Sequence, residues 1–152
     1  MQLTDLITAG RVKVPLAGRT KDEVLRELVE LAVHERGPHV VESVAGAVRE
    51  REQLLSTGIG GGIAIPHGKS IELDELIVAA GVAPGGIAYD ALDGKPVTLL
   101  FLLVGPETAA GSLVKALSRI SRVLRREGLR EELREARSGD EFLRVLAGAE
   151  AA

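Results

Sequence analysis

The chain has no cysteine and no tryptophan, and it has one tyrosine, two phenylalanines and three histidines among 152 residues. Each shortage excludes something. Without cysteine there is no disulfide, no thiolate nucleophile and no cysteine-ligated zinc, which fits a reducing compartment, the cytoplasm. Aromatic residues make up 2% of the chain, too few to build stacking platforms for single-stranded nucleic acid. The net charge is −3, with acids and bases interspersed, so there is no basic footprint for DNA or RNA. The longest apolar run, PVTLLFLLVG from Pro96 to Gly105, is about half of what a membrane-spanning helix needs. The opening MQLTDLITAG lacks the basic and apolar segments of a secretion signal. A protein that neither enters a membrane nor binds nucleic acid is expected.

What is present is aliphatic. Hydrophobic residues make up 45% of the chain, chiefly Leu, Val, Ala and Ile, enough for one core spanning residues 1–152 as a single domain. Arg11 to Leu16 alternates and reads as a short strand. Thr20 with Glu23 forms a capping box that opens a helix carrying Val24, Leu25, Leu28, Leu31 and Ala32, ended by Gly37-Pro38. A second helix runs from His39 to Leu55 with a stripe of Val41, Val44, Val48 and Leu55, on which Arg51 also falls. Either Arg51 snorkels, with its stem buried and its head in water, or it faces an anion site. Strands are expected at Gly62–Gly68, Glu75–Ala83 and Pro96–Gly105. The unbroken apolar character of the last suggests burial on both faces, and Asp93-Gly94 before it is a hairpin signal. Helices close the chain: residues 112–126 with Leu113, Leu117, Ile120 and Leu124, a short one at 129–136, and one beginning at Ser138, where Glu141 completes a second capping box. Strands between helices around a buried central strand give a layered α/β domain.

The stretch STGIGGGIAIPHG, Ser56 to Gly68, concentrates the unusual residues. It is not a P-loop, because five residues rather than four separate Gly62 from Gly68, and a strand lies where the phosphate loop belongs. It is not a dinucleotide fingerprint either, since Ile63 stands at the last glycine. HERGPH, His34 to His39, has one residue too many for a zinc-protease helix, and no G-x-S-x-G elbow exists. No metal site is expected, and His34 and His39 read as surface or capping residues. His67 differs. Pro66 fixes the approach to it, and Gly68 leaves room for a ligand or partner. The glycines Gly58, Gly60, Gly61 and Gly62 can form an amide nest for phosphate, with hydroxyls at Ser56 and Thr57 and a planar cation at Arg51. Imidazole is nucleophilic near neutral pH without a general base. On the residues alone two readings stand: His67 is a phosphoryl acceptor, or the glycines make a bulged turn and His67 is a hydrogen-bonded strand end.

REQLLSTGIGGGIAIPHGKS resembles the signature of the fructose/mannitol-type (type-2) enzyme IIA domains of the phosphoenolpyruvate-dependent sugar phosphotransferase system, which include the nitrogen-regulatory enzyme IIA proteins. DGKPVTLLFLLVGPE and LSRISRVLRREGLREELREARSGDEFLRVL extend the likeness over nearly the whole chain. The resemblance implies a three-layer α/β/α sandwich around a mixed central sheet. It implies that His67 accepts a phosphoryl group from an HPr-like carrier and passes it to an enzyme IIB or uses it as a regulatory signal. The family arginine maps to Arg51, and the family glycine turn to Ser56 through Gly62, with Ser56, Thr57, Gly58 and Gly60 as phosphoryl-binding candidates. No cofactor is implied. The activity is that of a transferase-class carrier rather than a free-standing turnover enzyme. The chain departs from the family at Leu113, which stands where many members carry a second histidine; Ser112 and Lys115 are nearby donors. That departure, and a chain with no IIB or IIC segment, lean toward the regulatory branch. Two rivals follow: a regulatory binding module that is not phosphorylated, and a small-anion binder built on the glycine nest. A carrier needs an apolar rim around His67 for its protein partners.

Overall fold

The strand Val97–Gly105 (β6) organises the molecule. Its side chains alternate between faces, Leu100, Leu102 and Val104 entering one core and Leu99, Phe101 and Leu103 the other. Both faces are therefore covered, as the continuous apolar run requires. In the computed structural model, which describes residues 2–151, the helices Lys21–Val33 (α1) and Pro38–Leu54 (α2) pack on the first face. Ala110–Val123 (α3), Glu127–Arg134 (α4) and Gly139–Ala151 (α5) pack on the second.

Six strands form one mixed sheet: Val12–Lys13 (β1), Gly58–Gly60 (β2), Ile63–Ala64 (β3), His67–Lys69 (β4), Ile77–Ile87 (β5) and β6. The order is β1-β5-β6-β3-β2, with β4 also paired to β6. β5 and β6 run antiparallel, whereas β3 and β4 lie parallel to β6 one after the other. This is the expected three-layer α/β/α sandwich around a mixed sheet.

Proline accounts for the two places where strands are shorter than the sequence suggests. Pro15 has no amide to donate, so β1 stops at Lys13 and Leu16 makes an isolated bond from its amide to the Val82 carbonyl, 2.8 Å. Pro66 divides the expected strand Gly62–Gly68 into β3 and β4; its carbonyl still accepts from Leu103, 3.0 Å, while the Ile65 amide continues the β2–β3 pairing to the Thr57 carbonyl, 3.0 Å. The helix starts follow their signals. Thr20 Oγ1 accepts from Glu23 and Glu23 returns to the Thr20 amide. At Ser138 the hydroxyl accepts from Glu141, but Glu141 reaches the Arg137 amide instead of closing the box. Helix α2 ends at Leu54, so Leu55 is not part of its stripe; it is 62% exposed. The buried stripe continues from Val48 to Glu52, four residues on, and Arg51 sits at its edge.

Candidate functional site

His67 opens β4, paired across from Leu103. Its Nδ1 lies 3.0 Å from the carbonyl oxygen of Ile65. A carbonyl only accepts, so Nδ1 carries the proton and Nε2 keeps its lone pair. Among the described residues Nε2 has no hydrogen-bond partner. The ring is half-buried and lines an open cleft of about 760 Å³ between α2, β4 and α3. Arg51, Glu50 and Lys69 supply charge to this cleft, and Leu54, Leu113, Val114 and Leu117 supply apolar wall. Leu54 is 82% and Val114 63% exposed, so the rim around His67 is apolar and uncovered.

Arg51 reaches the cleft from the last turn of α2, where Nη1 donates to the Leu55 carbonyl, 2.9 Å, and so caps its own helix end. Lys69, two residues after His67 on the same strand face, lies 3.4 Å from Glu107 at the surface. Leu113 is buried against the cleft and brings no polar atom to it; Ser112 and Lys115 do not line it.

The other expected site residues are used differently. Thr57 is buried, and its amide donates to Glu52 Oε2 at 2.7 Å while its hydroxyl donates to Glu52 Oε1. Ser56 Oγ donates to the Tyr89 carbonyl, 3.2 Å, and accepts from the Gly58 amide, 3.1 Å. Gly60, Gly61 and Gly62 all have positive φ and form the tight turn between β2 and β3. The Gly61 amide donates to Asp93, 3.1 Å, and the Gly62 carbonyl accepts from Thr98 and Leu99. These glycines lie beside the start of β6, whereas His67 lies beside its end, so they form no nest around the imidazole. Gly58 is there for packing: a Cβ would stand 2.8 Å from that of Ala91. Gly68 likewise admits α2 rather than a ligand, since a Cβ would stand 3.1 Å from the Val48 amide nitrogen.

The sequence reading gave Glu52 no role beyond its place beside Arg51 in the signature. Its carboxylate, 7% exposed, also accepts from the Tyr89 hydroxyl at 2.7 Å and lies 3.5 Å from Lys21 Nζ. Burial, opposed by the Thr57 hydrogen bond and reinforced by Glu52, pushes the Tyr89 phenol well above its usual range, so it remains a donor. A signal was available: Glu52 is the position four residues after Val48, where the helical period calls for an apolar side chain. His34 bonds the Glu30 carbonyl and His39 bonds Glu72, both at the surface. Among the described residues no group of three or more His, Asp or Glu is placed to hold a metal, and no helix is long and apolar enough to cross a membrane.

The fold and the cleft define a class: an α/β sandwich with an imidazole nitrogen unpartnered among the described residues, on a ring that lines a wide, apolar-rimmed cleft. The comparisons narrow this class. The family model "Phosphoenolpyruvate-dependent sugar phosphotransferase system, EIIA 2" matches residues 5–149. A nitrogen regulatory protein of Bradyrhizobium diazoefficiens is 35% identical over 97% of this chain and 95% of its own. The fructose-specific EIIABC component of Bacillus subtilis is 34% identical over 96% of this chain, which spans 23% of that longer protein. The crystal structure of nitrogen regulatory protein IIA-Ntr from Neisseria meningitidis superposes with a TM-score of 0.83 at 28% identity, covering 95% of this chain and 98% of that one. The chain belongs to the type-2 enzyme IIA family of the phosphotransferase system.

Proposed function

We propose that this chain carries a phosphoryl group on Nε2 of His67, received from an HPr-like carrier and handed to an enzyme IIB or read by a regulatory target. The observation that carries the reading is the Nδ1–H bond to Ile65, which leaves Nε2 without a partner among the described residues on a ring that lines the cleft. In the transfer, the Nε2 lone pair forms a bond to phosphorus as the bond from phosphorus to the donor breaks, and the donor leaves with that electron pair. Nδ1–H stays on Ile65 throughout, where it stabilises the positive charge that the ring acquires. Arg51, which lines the same cleft, has guanidinium nitrogens beyond Nη1 with which to bind phosphoryl oxygens. The roles expected of Ser56, Thr57, Gly58 and Gly60 at the phosphoryl group are not part of this proposal, because their polar groups and packing are committed elsewhere.

The apolar rim of Leu54 and Val114 suits successive docking of two protein partners on one face. The width and openness of the cleft argue against the small-anion binder, which would enclose its ligand. Leu113 favours the regulatory branch, since the position where many family members carry a second histidine brings no polar atom to support onward transfer. A cytoplasmic protein without membrane insertion fits this partner set. The test is an intact-mass measurement at neutral to basic pH after mixing the chain with phosphoenolpyruvate, enzyme I and HPr. One phosphoryl adduct is expected, absent in His67→Ala. No adduct from several competent donors would leave the unphosphorylated binding module as the better reading.

A further inference from the structure

The buried carboxylate of Glu52 is out of place in a purely apolar stripe, and what it holds points back to the cleft. It sits beside Arg51 on α2, one side chain turned to the core and the other to the cleft. Taking a carboxylate out of water is costly unless donors saturate it. Glu52 is saturated: the Thr57 amide and hydroxyl, the Tyr89 hydroxyl and the Lys21 ammonium all converge on it. Lys21 is in turn fixed by the Tyr89 carbonyl, 3.2 Å, and lies 4.5 Å from the centre of the Tyr89 ring.

Two chains of contacts leave this hub. One runs from Glu52 to Thr57, from the Thr57 carbonyl to the Ile65 amide at 3.0 Å, and from the Ile65 carbonyl to His67 Nδ1 at 3.0 Å. The other runs to the same loop two residues earlier, where the Leu55 carbonyl holds Arg51 Nη1 at 2.9 Å. The segment 55–57 thus anchors both cleft side chains, and Glu52 anchors the segment. We infer that Glu52, with Thr57 and Tyr89, is a positioning residue for the phosphoryl site: it keeps the Ile65 carbonyl on Nδ1, so that Nε2 is the nucleophile, and keeps Arg51 in register with it. Its consequence for transfer rests on the carrier reading above; its effect on the His67 tautomer does not.

A free imidazole prefers the proton on Nε2, the tautomer that would block attack from that nitrogen. Loosening the Ile65 carbonyl therefore has a spectroscopic signature that mere loss of stability lacks. Long-range 1H–15N spectra of His67 in wild type, Glu52→Gln, Thr57→Val and Thr57→Ser read it directly. Glu52→Gln turns one acceptor oxygen into a donor, so that one of the groups converging on it loses its acceptor, and removes the charge opposite Lys21. In this variant and in Thr57→Val, the Nε2–H form is expected to appear beside the wild-type Nδ1–H form. Phosphoryl transfer should slow roughly ten- to hundredfold, as small misplacements do. Thr57→Ser, which keeps the hydroxyl, should restore the wild-type spectrum. A folded Glu52→Gln protein with an unchanged tautomer would overturn the inference, even if its melting temperature falls. Should Glu52→Gln fail to fold, Tyr89→Phe and Thr57→Val decide by the same spectrum. If wild type takes no phosphoryl group, the carrier reading fails, and the tautomer comparison still decides whether Glu52 sets the state of His67.

Discussion

Two hollows flank the ends of β6, and they differ in what their polar groups have left to do. The hollow at the glycine turn, about 530 Å³, is lined by Asp93, Glu127 and Glu131 and by Lys95, Arg130 and Arg134. Its acids and bases balance, and several are already engaged. Asp93 accepts from the Gly61 and Lys95 amides, and Arg130 Nη1 donates to the carbonyls of Leu124 and Arg125, at the end of α3. The hollow at His67 is larger, apolar at its rim, and holds an imidazole nitrogen with no partner among the described residues. Richness in glycine marks the hollow that is finished as structure. The proposed site lies where polar groups remain unspent.

Exchanging the arginines is the severest way to break this comparison. Arg51→Ala should slow phosphoryl transfer roughly a hundredfold, the usual cost of removing one charge-stabilising donor. Arg130→Ala should leave transfer within about twofold, because it removes only helix-end hydrogen bonds, at a cost of about 1 kcal/mol in stability. Timed transfer from HPr and a thermal melt on each variant separate the two effects. Equal losses of transfer would mean that the glycine hollow takes part in the chemistry.

A gain of function sharpens the contrast next. Leu113 faces the His67 cleft without a polar atom. Leu113→His should add a donor and lengthen the lifetime of the phosphohistidine several-fold, by about 1 kcal/mol for one hydrogen bond. The decay of the adduct by intact mass reads this, and an unchanged lifetime would show that the position does not reach the phosphoryl group.

The smallest effect is expected at the glycine turn. Backbone amides, Lys95 first and then Gly61, hold the Asp93 carboxyl below its ordinary value of 3.8. A lowered folded-state value means that the carboxylate's support of the turn is complete above that pH and is lost as pH falls through the folded-state value. Asp93→Asn should therefore lower the melting temperature slightly at pH 7 and converge with wild type in acid, without altering transfer. A difference that grows in acid would contradict the assignment.

Legibility in the sequence followed the strength of the local signals. The twofold-buried β6, the Thr20 cap and the helices of the second half were readable because periodicity and capping are short-range patterns. Strand β2 was not, because Gly58 to Gly60 looks like a loop until its pairing with β3 is seen. Thr57 and Gly68 look like ligand contacts in sequence; their work becomes visible only when Glu52 and α2 arrive from elsewhere in the chain. His67 and Arg51 were legible as a pair, and the fold places both on one cleft. The tautomer of His67 could not be read, because the carbonyl that accepts from Nδ1, that of Ile65, shows itself only in the folded chain.

That choice of nitrogen is the central claim, and one spectrum tests it. The chain, labelled with 15N and phosphorylated through HPr, should show one-bond phosphorus–nitrogen coupling at His67 Nε2 with Nδ1 still protonated. Phosphorus on Nδ1, or on any residue other than His67, would contradict the account.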